Sequence, residues 1–405
     1  MPNRFIVAAF GDPGHALPAI TLAKALKERG HEVLVETWDR WRDDVVADEI
    51  EFRSAEEYAV YPPPGPDGDA GGTAARAARS LVGLIEEFGP DVVVNDILTL
   101  APALAAEKAG VKRATLIPHV FAEQQPGMPL FSIGLQPPRT PLGRAMWKAT
   151  MPLIGFGLRR GRRDLNGIRA ELGLPPLNRF HGGTSESLAL VATFPQLEYP
   201  RSWPENVRIT GPLLTDIPAP EVELPDGDEP LVLIAPSTSQ DPECKLLRAS
   251  LEGLADAPVR VIAALNGHRP PEPLPRTGNS RVYGWISYSQ AMNAADLVVC
   301  HGGHGTVVRA LTEGVPVLVS PAGGDMAENG ARVSWAGCGR MLPRRVLGAA
   351  TMRIAVLDAL DDQGLRSKAQ EIANWSAVHD GPDTAADLLE NLAADIPLPP
   401  VPRVE

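Results

Sequence analysis

LVVCHGGHGTVVRALTEG, residues 297–314, continues into VPVLVSPAGGDMAEN, residues 315–329. Leu297 to Cys300 is a short apolar, β-branched run that fits a buried parallel strand, and it ends in His301, Gly302, Gly303, His304, Gly305 and Thr306. Val307, Val308, Ala310 and Leu311 are then spaced for one apolar helical face, and Gly314 followed by Val315-Pro316 supplies the stop. A strand, a glycine-rich turn and a helix N-terminus make an anion site, because unpaired backbone N–H groups and the positive end of the helix dipole converge on one spot. Thr306 adds a hydroxyl and His301 an imidazole N–H, which points to a diphosphate as the guest. Glycine-rich turns of this kind also occur where nothing binds, so a second motif is needed to decide.

That motif lies at the other end of the chain. Phe5 to Phe10 reads as a strand, Gly11 to Gly30 as a tight turn feeding an amphipathic helix, and His31 to Thr37 as the next strand. Strand, helix and strand at this spacing make a right-handed parallel unit, so the first domain is a doubly wound sheet with ligands at the carboxyl ends of its strands. His15 falls there, at the start of a helix whose dipole disfavours imidazolium, leaving a neutral ring able to accept a proton. Asp91 to Asn95, DVVVN, is a buried strand with Asp96 at its carboxyl end. Asp96 reads either as a carboxylate behind His15 or as the N-cap of a helix over 98–109.

The motifs H-G-G-x-G-T (301–306), A-L-x-x-G-V-P (310–316), P-x-x-x-D (321–325) and Asn329, joined to G-H-x-x-P (14–18) and R-G-H-x-V (29–33), resemble those of the family 1 glycosyltransferases. The resemblance implies the α/β GT-B fold, two doubly wound Rossmann-like domains facing a central cleft, with His15 as general base and Asp96 as its orienting partner. It further implies that Gly303, Gly305, Thr306 and His301 hold the donor diphosphate, that Asp325 grips the sugar, and that Trp285 stacks on the base while the backbone of Ile286 pairs with its edge. Ser237 and Thr238 stand where the family often sets a hydroxyl against the diphosphate, with a helix cap as the competing account. The region 119–176 corresponds to the acceptor pocket; its scattered apolar residues suggest an apolar acceptor, with His119, Phe121 and Phe131 as candidate contacts. Two positions depart from the family pattern: Arg309 stands for a ribose-binding Glu, and Met326 for a sugar-binding Gln. Guanidinium only donates, so the ribose contact must be rebuilt.

With 405 residues, 44% hydrophobic and 22% charged, the composition is that of an ordinary globular protein. A net charge of −12 argues against nucleic acid or an anionic membrane as principal partner. Cys244, Cys300 and Cys338 have no metal-ligand spacing. No run reaches the ~18 apolar residues of a membrane span, and no signal pattern opens the chain, so a cytoplasmic protein is expected. The four arginines Arg159, Arg160, Arg162 and Arg163 read as a solvated helix face.

The expected organisation is an acceptor-binding domain (1–212), a Pro- and acid-rich linker (213–230), a nucleotide-sugar domain (231–382), a helix crossing back to the first domain (383–394) and a tail (395–405). Residues 61–72, YPPPGPDGDAGG, read as a surface loop. The expected activity is an inverting, metal-independent transfer of a hexose or deoxyhexose from a UDP- or dTDP-sugar to a hydroxyl of an apolar small molecule, with no cofactor. A sugar-nucleotide epimerase or hydrolase, and a non-catalytic nucleotide-binding protein, are the alternatives; oligomeric state is open.

Overall fold

In β1 (Arg4–Ala8), Phe5 and Val7 enter one core and Ile6 another, as in a parallel sheet covered on both faces. A computed structural model describes residues 2–55, 70–179, 183–215, 222–238 and 240–400. Residues 61–69 of the surface-loop stretch, 216–221 of the linker and 401–405 of the tail lie outside them.

After β1 the first half runs through α1 (Pro13–Glu28), β2 (Glu32–Thr37), α2 (Arg42–Val46), β3 (Glu51–Ser54), α3 (Ala70–Phe88), β4 (Val92–Asp96) and α4 (Leu100–Ala109). It continues with β5 (Lys112–Ile117), α5 (Pro141–Lys148), α6 (Met151–Glu171), β6 (Leu188–Val191) and β7 (Val207–Ile209). The seven strands form a parallel sheet in the order β3-β2-β1-β4-β5-β6-β7. The order reverses between β1 and β4, which opens a crevice at their carboxyl ends.

The second half contains β8 (Leu231–Ala235), α7 (Lys245–Leu254), β9 (Arg260–Ala264), β10 (Ser280–Tyr283), α8 (Tyr288–Asn293), β11 (Leu297–Cys300) and α9 (His304–Thr312). There follow β12 (Val317–Val319), α10 (Met326–Ala336), β13 (Gly339–Met341), α11 (Ala349–Asp361), α12 (Gln363–Ser376) and α13 (Gly381–Ala393). Its six-stranded parallel sheet has the order β10-β9-β8-β11-β12-β13, with the switch point between β8 and β11. Leu231, Leu233 and Ala235 enter the core on one face, Val232 and Ile234 that on the other.

The stretch 349–376 is divided into α11 and α12. Asp362 breaks it, because its Oδ1 accepts the Gly364 and Leu365 amides at 2.9 and 3.4 Å and caps α12. The last helix, α13, leaves the second half and packs on α1, β4 and β5. Its Ala385, Ala386, Leu388 and Leu389 are buried in the core of the first sheet, and Arg29 reaches Asp387 at 2.7 Å. Among the described residues no helix is long and apolar enough to cross a membrane.

A buried cation fixes the two halves against each other. Arg332 on α10 donates through Nη1 to Glu198 Oε2 at 2.6 Å and to the Leu197 carbonyl at 3.0 Å, both in the first half. Its Nε reaches Glu328 at 3.0 Å, and its guanidinium lies 4.3 Å from the centre of the Tyr199 ring. Burial disfavours the charge, but Glu198 and Glu328 more than offset that and raise the Arg332 pKa. The second oxygen of Glu198 accepts the Phe121 amide at 2.6 Å.

Candidate active site

Each switch point carries one half of the site. At the first, Pro13 at the helix start opens α1 early enough to place His15 in its first turn, and Asp96 is the last residue of β4. His15 Nδ1 lies 2.7 Å from Asp96 Oδ2. A carboxylate accepts only, so Nδ1 carries the ring proton and Nε2 holds the lone pair. Asp96 fills both roles read from the sequence, since its Oδ1 accepts the Leu98 amide at 2.8 Å. The Gly11 carbonyl is held by Trp41 Nε1 at 2.8 Å and Arg40 at 2.6 Å, which fixes the turn leading into His15. The helix dipole alone would lower the His15 pKa, and the shift runs the other way. Burial works to lower the His15 pKa, but Asp96, with Asp325 and Asp12 beyond it, raises it above the ordinary value.

At the second switch point the glycine turn joins β11 to α9. Gly303 caps α9, so the amides of His304, Gly305 and Thr306 have no intrahelical partner. Gly302 has φ +93°, which favours glycine, and its carbonyl is fixed by Asn329 Nδ2 at 2.8 Å. At Gly303 the demand is for space: a Cβ there would lie 2.3 Å from His301 Nε2. A Cβ at Gly305 would meet nothing within 4 Å, so that side of the turn is open.

His301 differs from the sequence expectation in its proton. Nδ1 faces the Ala235 carbonyl at 3.2 Å and must be the protonated nitrogen, while burial lowers the ring's pKa. A neutral His301 therefore presents a lone pair at Nε2, and becomes a donor there only as imidazolium.

Between the halves lies a cleft of about 490 Å³, lined from one side by Pro13, Gly14 and Leu17 and from the other by Gly303, Gly305 and Thr306. Trp285, 41% exposed, and Ile286 line it beyond the end of β10, as does Thr238. Ser237 does not line it: its side chain is buried and its Oγ accepts the Gln240 amide at 2.9 Å, which closes a local turn and caps no helix, since α7 begins at Lys245 with its first amides on Asp241. Arg309 lines the cleft and donates to the Thr215 carbonyl, tying α9 to the connection between the halves. Asp325 caps α10, and its charge acts on His15, His119, His301 and His304, so it lies among residues of both halves.

A second cavity, of about 290 Å³, is lined by Phe10, Glu36, Trp38, Leu81, Thr99 and Pro102. The His15 side chain is 17% exposed and lines neither space itself; its neighbour Gly14 lines the cleft, and Phe10, 6.1 Å away centre to centre, lines the cavity. His119 lies 6.1 Å from His15, and Phe131 lies 6.2 Å from His119. His119, Phe121 and Phe131 line neither space. Phe121 is buried, stacked on Trp203 at 5.5 Å, with its amide held by Glu198, and Phe131 lines a separate small pocket with it. Met128 lines the same small pocket, and Met146 is exposed on α5.

Sequence reading missed His304, whose Nε2 meets the Ala192 carbonyl of the first half at 3.3 Å and whose pKa burial pushes down to about 4. It missed Glu36 too, whose carboxyl burial pushes up to about 7. The variable position inside H-G-G-x-G-T was a signal for the first; an acid in a strand facing a cavity left none for the second. Among the described residues no group of three or more His, Cys, Asp or Glu could hold a metal ion, and all three cysteines are buried and unpaired.

Comparison with known proteins agrees with this architecture. Residues 248–392 match the family model of the erythromycin biosynthesis protein CIII-like C-terminal domain. The 4'-demethylrebeccamycin synthase of Lentzea aerocolonigenes is 30% identical over 426 residues, spanning 97% of this chain and 100% of that protein. Among solved structures, the glycotransferase of kitacinnamycin superposes with a TM-score of 0.78 at 19% identity, covering 96% of this chain and 99% of that one. The calicheamicin glycosyltransferase CalG4 gives 0.74 at 22% identity, covering 98% and 99%. The fold is GT-B.

Proposed function

The chain belongs to the natural-product glycosyltransferases of family 1, enzymes that move a sugar onto a small-molecule acceptor, and from that premise we propose an inverting, metal-independent transfer driven by His15. The donor is a UDP- or dTDP-hexose or deoxyhexose, and the acceptor is a hydroxyl on an apolar molecule held in the cavity beside Phe10. His15 Nε2 takes the hydroxyl proton as that oxygen bonds to the anomeric carbon from the face opposite the diphosphate. The bond from the anomeric carbon to the diphosphate breaks, and its electron pair leaves with the nucleotide. Asp96 stabilises the imidazolium that forms.

The departing diphosphate meets the free amides of His304, Gly305 and Thr306, the Thr306 hydroxyl and, once protonated, His301, which supply the charge neutralisation that a metal ion gives elsewhere. Thr238 adds a hydroxyl, Trp285 stacks on the base above the Ile286 backbone, and Asp325 accepts from the sugar hydroxyls. Met326 makes no polar contact with the sugar, which suits a deoxysugar.

The observation that carries this reading is the 2.7 Å His15–Asp96 pair at one switch point, set across the cleft from the glycine turn at the other. His15→Ala should cut transfer about 100- to 10,000-fold while dTDP or UDP still raises the melting temperature. Near-normal turnover in that variant would remove His15 from the chemistry. Chelator should leave the rate unchanged. Donor incubated without acceptor should persist, whereas free sugar or an epimer would favour a hydrolase or epimerase.

A further inference from the structure

Between Pro141 and Arg163 the chain has six Lys or Arg and no Asp or Glu, in a protein of net charge −12. Among the described residues none of the six pairs with a carboxylate. Among the described residues the same segment holds the most exposed large apolar side chains of the first half. Leu142 and Met146 on α5 are 73% and 66% exposed, and Leu153 and Phe156 on α6 are 75% and 62% exposed. No residue of α5 is buried, and α6 buries only Leu165 and Arg169, in its second half. There Arg169 is clamped to Glu107 at 2.6 and 2.5 Å, so the anchored end is firm and the apolar end is uncovered.

The helical period organises that uncovered end. Leu153, Phe156, Arg160 and Arg163 fall at spacings of three and four residues, so apolar and basic side chains share one solvent-facing stripe. An apolar run, MPLIGFGL, is followed at once by RRGRR. Apolar side chains beside arginines that have no carboxylate partner among the described residues match the two layers of a lipid interface, acyl chains below and anionic headgroups above.

We propose that α5 and the first half of α6 form a docking face for the surface of an anionic lipid bilayer, with Leu142, Met146, Leu153 and Phe156 entering the acyl boundary and the flanking arginines meeting lipid phosphates. The face binds without spanning. The overall negative charge, which argues against such a partner for the molecule as a whole, is screened at this basic face, because only charges within about 10 Å of the surface take part.

The test is flotation of the full chain with vesicles of phosphatidylcholine containing phosphatidylglycerol, and with vesicles of phosphatidylcholine alone. The chain should float with the anionic vesicles, less so at high salt, and stay behind with the neutral ones. L153D/F156D, and separately R159E/R160E, should each lower the bound fraction about tenfold with no change in melting temperature. These side chains are exposed, so the fold tolerates both pairs. Failure of the wild-type chain to float, or equal flotation of the variants, would overturn the proposal. So would light scattering without lipid that shows a dimer dissolved by L153D/F156D, which would assign the face to a second copy of the chain.

Discussion

The pH behaviour of the enzyme is written in single side chains. His15 must be neutral to act as a base, and its pKa lies above the ordinary value, so transfer should rise with pH through a limb placed above that of a free histidine. Asp96→Asn removes the main raising charge and leaves burial, so the limb should move to lower pH while the maximum rate falls; a pH–rate profile checks both. His301 predicts the opposite slope for binding. It donates to a diphosphate only as imidazolium, so affinity for dTDP should strengthen as pH falls, with proton uptake visible by calorimetry in buffers of different ionisation heat. Glu36 bears on stability. Its folded pKa of about 7 exceeds the ordinary 4.5, so the folded state binds the extra proton between those values, and stability is lost as pH rises through them. The loss is about 3 kcal/mol above pH 7. Glu36→Gln should therefore raise the melting temperature at pH 8 and leave it little changed at pH 4.

At the scale of elements, the β11–α9 turn depends on what its glycines leave out. Gly303→Ala would push a methyl onto His301 Nε2 and should weaken dTDP binding about tenfold, within the range that overpacking costs. This turn was legible in the sequence because everything it needs lies within a few consecutive residues: a buried strand, glycines, a hydroxyl and an apolar helical face. The first turn of α1 was legible for the same reason. What escaped was assembled across the chain. Glu198 sits 134 positions from Arg332, and no local period marks either as a partner. Phe121 looked like an acceptor contact by composition, yet the hold of Glu198 on its amide turns it into the core. Ser237 carried two readings, a diphosphate contact and a helix cap, and its side chain instead closes a local turn on the Gln240 amide. In 119–176 only the arginine run of α6 was read as a helix face; the rest of α5 and α6 was hidden because their exposed apolar side chains blur the amphipathic pattern by which helices are recognised.

For the whole molecule, the relation between the halves rests on the buried Arg332 cluster as much as on the connection at Leu214 and Thr215. Arg332→Met would leave Glu198 and Glu328 buried without their cation and should cost about 3 to 5 kcal/mol, seen as a lower urea midpoint; replacing both acids as well should recover much of it. Transfer should fall alongside, since α10 carries Asp325 at its start and Arg332 near its end. The return of α13 to the first sheet has a different consequence, one of timing. Leu388 and Leu389 complete a core whose members outside α13 run from Phe5 to Leu213 and so are all made earlier on the ribosome. The lobe that is synthesised first is thus the one sealed last, and until the last helix emerges its underside stays open to chaperones.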